Sequence, residues 1–219
     1  MDWQTGDTRP AIAESCTASG ARQTWLLWGD SYAQALSPGL RAIAPAGTAV
    51  AQIATSQCRP SLGELDAEVA GGRCLRASAF ALERIAALRP AVVVIAQLDK
   101  HLQTDWLALS ERLVALGVER VFLVGPVPRW RPSLPEVVTA HYWDSPVSKV
   151  AQGLDPDLAG IDRTLKARAE GMGCDGDGCV GVLPGSTDRD LLAFDAGHLT
   201  PKGSLYVAEE VLRPWLLAR

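Results

Sequence analysis

The stretch Trp25-Leu26-Leu27-Trp28-Gly29-Asp30-Ser31-Tyr32-Ala33 decides how the chain is read. Four consecutive large apolar residues, with nothing polar alternating among them, describe a strand buried on both faces, as parallel strands covered by helices are. Gly29, Asp30 and Ser31 break the run, and a helical pattern follows over residues 32–43. A strand passing through a short turn directly into a helix is the repeating unit of a parallel α/β sheet. The same alternation continues outward. Further strands are expected at 48–54, 91–97, 120–127 and 180–183, and further helices at 75–88, 105–116, 157–171 and 201–217. Pro90 and Gly117 stand between helix and strand as breakers, and Pro201 opens the last helix at its first turn. The expected fold is α/β: a flavodoxin-like three-layer sandwich around a central parallel sheet of about five strands. Residues 128–156, with five prolines and with Trp130, Tyr142 and Trp143, read as one long loop without a regular element.

A chain of 219 residues suits a single domain, here residues 1–219. With 47% hydrophobic and 21% charged residues it has the composition of a packed globular protein. The net charge is -4, and no Lys/Arg cluster lies on a candidate helix face, which argues against nucleic acid as a partner. The longest apolar stretches, such as 91–96, fall far short of the roughly 20 residues that a spanning helix needs. The first ten residues lack the basic and apolar regions of a secretory signal. Cys16, Cys58, Cys74, Cys174 and Cys179 match no zinc spacing, and neither a metal nor another cofactor is expected. An Asp-x-Asp-Gly run at 175–178 lacks the later oxygen ligands of a calcium loop. Cys58 with Cys74, and Cys174 with Cys179 across a Gly-containing turn, are expected to form disulfides and to leave Cys16 over. The alternative is five reduced, buried thiols.

Ser31 follows the first strand, so it stands at the carboxyl edge of the sheet, where ligands bind in open α/β folds. The helix amino terminus there helps to activate a hydroxyl and to bind a developing oxyanion, although Ser31 is also of a type that merely caps a helix. Near the other end, in Phe194-Asp195-Ala196-Gly197-His198, a carboxylate and an imidazole are three residues apart. One short turn then sets Asp195 against His198, fixing the tautomer of a base for the Ser31 proton. Asp30 reads as an organiser of its turn. His101 and His141 read as plain surface or loop histidines, and Trp130, Tyr142 and Trp143 either as sugar-stacking residues or as the loop's own small core.

Gly29-Asp30-Ser31 and Asp195-Ala196-Gly197-His198 resemble blocks I and V of the SGNH (GDSL-like) hydrolase family. More narrowly, the chain resembles the extracytoplasmic SGNH domain fused behind acyltransferase-3 membrane domains. That resemblance rests on the run 25–31, Cys58-Arg59-Pro60 with Cys74, Val124-Gly125-Pro126-Val127-Pro128, the Cys174/Cys179 pair and His198-Leu199-Thr200. It implies the SGNH fold, a Ser31–His198–Asp195 triad, and a domain excised from a longer membrane protein on the periplasmic or extracellular face of a bacterial membrane. The partners implied are an acetyl donor delivered from the membrane domain and a glycan acceptor; the isolated domain is expected to be a monomer. The leading expected function is O-acetyl transfer through an acyl-serine to a hydroxyl of lipopolysaccharide, polysaccharide or peptidoglycan. Hydrolysis of glycan O-acetyl groups and silent glycan binding are the rivals. The chain departs from the family in Tyr32, where block I commonly has His, and in lacking an evident block II Gly and block III Asn. Gln97 is the candidate oxyanion donor in place of that Asn.

Overall fold

The structure is a computed structural model that describes residues 21–63, 72–144, 147–158, 161, 174–175, 178–180, 182–184 and 190–218. It contains two compact units: Met1–Gln34 with Ala44–Val124, and Ala35–Ile43 with Gly125–Arg219.

The first unit holds the sheet. Strands β1 (Gln23–Gly29), β2 (Thr48–Ala54), β3 (Val92–Ala96) and β4 (Arg120–Val124) are all parallel and lie in the order β2-β1-β3-β4. The helices of this unit are α2 (Arg73–Leu88) and α3 (Trp106–Ala115), together with the first residues of α1 (Ser31–Ile43). The expected double burial holds for the central strands, since every residue of β3 and all of β1 after Gln23 are buried. The outer strands β2 and β4 are only partly covered, because each has a neighbour on one side. On one face Leu26, Trp28, Ile53 and Ile95 pack against Ile85 of α2 and Leu113 of α3. Each such fully buried side chain contributes about 2 kcal/mol.

β1 ends where two backbones come together. Gly29 pairs with Ala54 on one side and Ala96 on the other, and a Cβ on Gly29 would lie 1.8 Å from the Ala96 carbonyl oxygen. Only glycine fits there. The Cys58–Cys74 disulfide, with Cα atoms 5.0 Å apart, ties the loop after β2 to the first turn of α2.

In the second unit α1 carries Pro38 in its interior, where proline lacks an N–H to donate to the carbonyl four residues back. Ser204 bonds to the helix on either side of Pro38: its Oγ accepts from Gly39 N at 2.8 Å and donates to Leu36 O at 2.9 Å. The region expected to be an empty loop contains α4 (Leu134–His141). Ser133 caps it by accepting from Glu136 N, and the Ser133 hydroxyl donates to the Glu136 carboxylate, with Pro135 in the first turn. Trp130 is fully buried and donates Nε1–H to Val150 O, so it belongs to that region's own core.

The expected fifth strand at 180–183 does not join the parallel sheet. Val180 ends β7 (Gly178–Val180), which pairs antiparallel with β5 (Lys149–Val150) and β6 (Cys174–Asp175), and Val182 makes a lone bridge to Leu191. β4 stops three residues before its expected end, at Pro126 and Pro128, neither of which can donate to a ladder. The last helix runs as α5 (Pro201–Tyr206), a π-helical stretch (Val207–Leu212) and α6 (Arg213–Leu216). The wider turn precedes Pro214, which cannot supply the next i→i−4 bond. The helix expected at 157–171 lies almost wholly outside the described residues, as does Cys16. No helix among the described residues is long and apolar enough to cross a membrane.

Gly29→Ala is expected to cost about 3 kcal/mol by forcing two strands apart, read as a lower urea midpoint; an unchanged midpoint would refute the close approach. Replacing Cys58 and Cys74 by Ser should cost about 3 kcal/mol, the loop-entropy value for a bridge of this span, in the same measurement.

Candidate active site

In a doubly wound sheet the ligand crevice opens at the carboxyl ends of the strands where the order reverses, here between β1 and β3. Ser31 stands at the end of β1 as the first residue of α1. Asp30 is the N-cap: its Oδ1 accepts from Tyr32 N at 2.8 Å and its Oδ2 from Leu98 N at 2.9 Å. Capping therefore falls to Asp30, so the cap reading of Ser31 is set aside, and Asp30 joins the turn after β1 to the loop after β3. The half-buried Ser31 lies at the amino end of α1, the positive pole of the helix dipole.

Tyr32, the departure from the usual block I pattern, is fully buried. Burial, aided by the nearby Asp30 charge, pushes its phenol far above the ordinary tyrosine range, so it stays neutral and serves as a core residue.

Gln97 does not act as expected. Its side chain is fully buried, and Nε2 donates to Asp99 O at 2.7 Å and to Thr104 Oγ1 at 3.0 Å. Both amide hydrogens are spent closing the loop after β3, and none is left for an oxyanion. Gln57, in the loop after β2, has φ 64, the left-handed conformation that glycine favours. The loops after β2 and β3 border a pocket of 280 Å³, in which Pro60, Leu62 and Leu109 supply apolar lining and Arg59 and Asp105 charge.

The second unit brings Asp195 and His198 together. Asp195 Oδ1 accepts from Gly197 N at 2.8 Å and His198 N at 2.7 Å, and Oδ2 lies 2.7 Å from His198 Nδ1. An ionised carboxylate only accepts, so the imidazole proton sits on Nδ1 and the basic lone pair on Nε2. Desolvation pulls the Asp195 pKa upward. The backbone bonds from Gly197 and His198, then the hydrogen bond and charge of the imidazole, outweigh it and hold the carboxyl below its ordinary value. Thr200 anchors the next step: it caps α5 by accepting from Gly203 N at 2.8 Å and donates to Leu191 O at 2.8 Å. Phe194 stacks on the His198 ring, with centroids 5.8 Å apart and planes 17° apart.

His101, expected as a surface or loop histidine, lies in the loop after β3 but is buried beside Trp106, whose Nε1–H donates to the His101 carbonyl. Cys174 and Cys179 face each other in the β6–β7 ladder, the register a cross-strand bridge requires; their side chains lie outside what is described.

A family model described as the SGNH domain fused to AT3 domains matches residues 3–213, and the chain belongs to this family. Among solved structures, it is similar to the periplasmic domain of a lipopolysaccharide acetyltransferase from Salmonella serovar Paratyphi A. The TM-score is 0.73 at 19% identity, over 90% of this chain and 86% of that one. That likeness is one of fold. No curated protein matched the sequence.

Because the folded pKa of Asp195 lies below the unfolded one, its contribution to stability is complete above about pH 3.9 and is lost as pH falls through the folded value. The difference in denaturant midpoint between wild type and Asp195→Asn should therefore narrow below about pH 3.9. A difference that does not change with pH would contradict the hydrogen-bonded carboxylate.

Proposed function

We propose that this domain transfers an acetyl group to a hydroxyl of a cell-surface glycan through an acyl-enzyme at Ser31, with His198 as base and then acid and Asp195 as its orienting partner. The observation that carries the reading is the 2.7 Å Asp195–His198 contact, with the carboxylate itself aligned by two backbone N–H groups. Such a pair gives imidazole the tautomer and the charge support that proton transfer from a hydroxyl requires.

The chemistry balances in two steps. Ser31 Oγ attacks the acetyl carbonyl of the donor while His198 Nε2 takes the hydroxyl proton. The tetrahedral intermediate collapses, and the leaving group departs with that proton. A glycan hydroxyl then attacks the acetyl-serine ester as His198 takes its proton, and Ser31 leaves and is reprotonated. The amino end of α1 stabilises the oxyanion in both steps.

The family's fusion to AT3 domains supports a place within a longer membrane protein, whose membrane domain delivers the acetyl donor to an extracytoplasmic site. The similar Salmonella domain is periplasmic and belongs to a lipopolysaccharide acetyltransferase, which favours a saccharide acceptor over water.

Time-resolved intact mass with p-nitrophenyl acetate tests the route. Wild type should accumulate an acetyl adduct that is lost in Ser31→Ala, and His198→Ala and Asp195→Asn should form it at least about 10³-fold more slowly. An adduct that persists in Ser31→Ala would overturn the assignment. Adding glycan should shift the product from free acetate to acetylated glycan; acetate alone would make the domain an esterase.

A further inference from the structure

We propose that Phe194 is a positioning residue for His198, its ring holding the imidazole in the plane from which Nε2 exchanges its proton. This rests on the reading of His198 as the base. Phe194 is 59% exposed, although burying a phenylalanine is among the larger single gains in folding. No packing need of the core keeps it in place. What it does contact is the His198 ring, nearly parallel at 17° with centroids 5.8 Å apart.

The geometry explains why a restraint on the ring face is useful. The Nδ1 contact to Asp195 fixes one edge of the imidazole, and a contact at one edge does not by itself set the tilt of the ring plane about the line joining the two atoms. Rocking swings Nε2, at the opposite edge, through the largest arc. A flat partner against the ring face opposes that motion, and aromatic stacking adds attraction of its own. The backbone sets up the pair. Phe194 N donates to His198 O at 3.0 Å, and Ala193 and Leu199 pair just outside it, so the two side chains leave a closed loop side by side. Asp195 holds the edge and Phe194 holds the face.

The test compares Phe194→Leu, which keeps apolar bulk but loses the plane, with Phe194→Tyr, which keeps the plane. In the full chain, Phe194→Leu should lower kcat for acetyl release from p-nitrophenyl acetate about fivefold, with KM unchanged and the denaturant midpoint retained. Phe194→Tyr should restore it. Independently of any activity, His198 ring protons should show an upfield ring-current shift in wild type and Phe194→Tyr that disappears in Phe194→Leu. Loss of the ring-current shift with kcat unchanged overturns the positioning role, and absence of the shift in wild type overturns the stack itself. Full activity in His198→Ala would instead remove the base on which the role depends, while the spectroscopic arm still reports the contact.

Discussion

The carboxylate of Asp30 holds together the edge of the sheet on which the nucleophile candidate stands. Burying a carboxylate carries a desolvation cost of several kcal/mol. Asp30 is almost fully buried and meets that cost with bonds from Tyr32 N and Leu98 N, each charge-assisted and contributing about 1.5–3 kcal/mol. Those two donors belong to the turn after β1 and the loop after β3, the two strands between which the order reverses. One side chain thus begins α1, closes the switch point and sets where Ser31 starts its helix. Gly29 makes the arrangement possible by letting β1 run against Ala96 without a side chain between them.

The second unit uses the same device at a more exposed place. Asp195 accepts the backbone N–H groups two and three residues ahead, as an Asx turn does, and its other oxygen reaches the imidazole. Asp30 spends both oxygens on backbone, so it organises structure. Asp195 spends one on backbone and keeps one for a side chain, so it can support a changing charge. The division of labour between two aspartates, each beside a candidate catalytic residue, follows from where their second oxygens go.

Legibility differed between the units for a physical reason. β1, β2 and β3 and their helices were readable because continuous burial leaves a continuous apolar run, and helix caps and breakers sit within a few residues of what they cap. α4 is masked by the prolines in and around it, although Ser133 is a good N-cap and Pro135 occupies a position where proline is welcome. The strand expected at 180–183 was misplaced because a short apolar run has no direction. Val180 pairs antiparallel with Lys149, and nothing local distinguishes that from a parallel neighbour.

The sequence by itself determined the α/β class, the Gly29-Asp30-Ser31 junction and the Asp195–His198 spacing, since each depends on residues adjacent in the chain or on a period within one element. Tertiary structure alone decided which polar groups were already engaged. Gln97 is a donor by residue type, but its amide is bonded to Asp99 and Thr104. Ser204 bonds Gly39 N and Leu36 O on either side of Pro38, far away in sequence. A hydrogen bond or a stacked ring is a statement about distance in space, and the order of residues encodes that distance only where the chain turns back on itself at once.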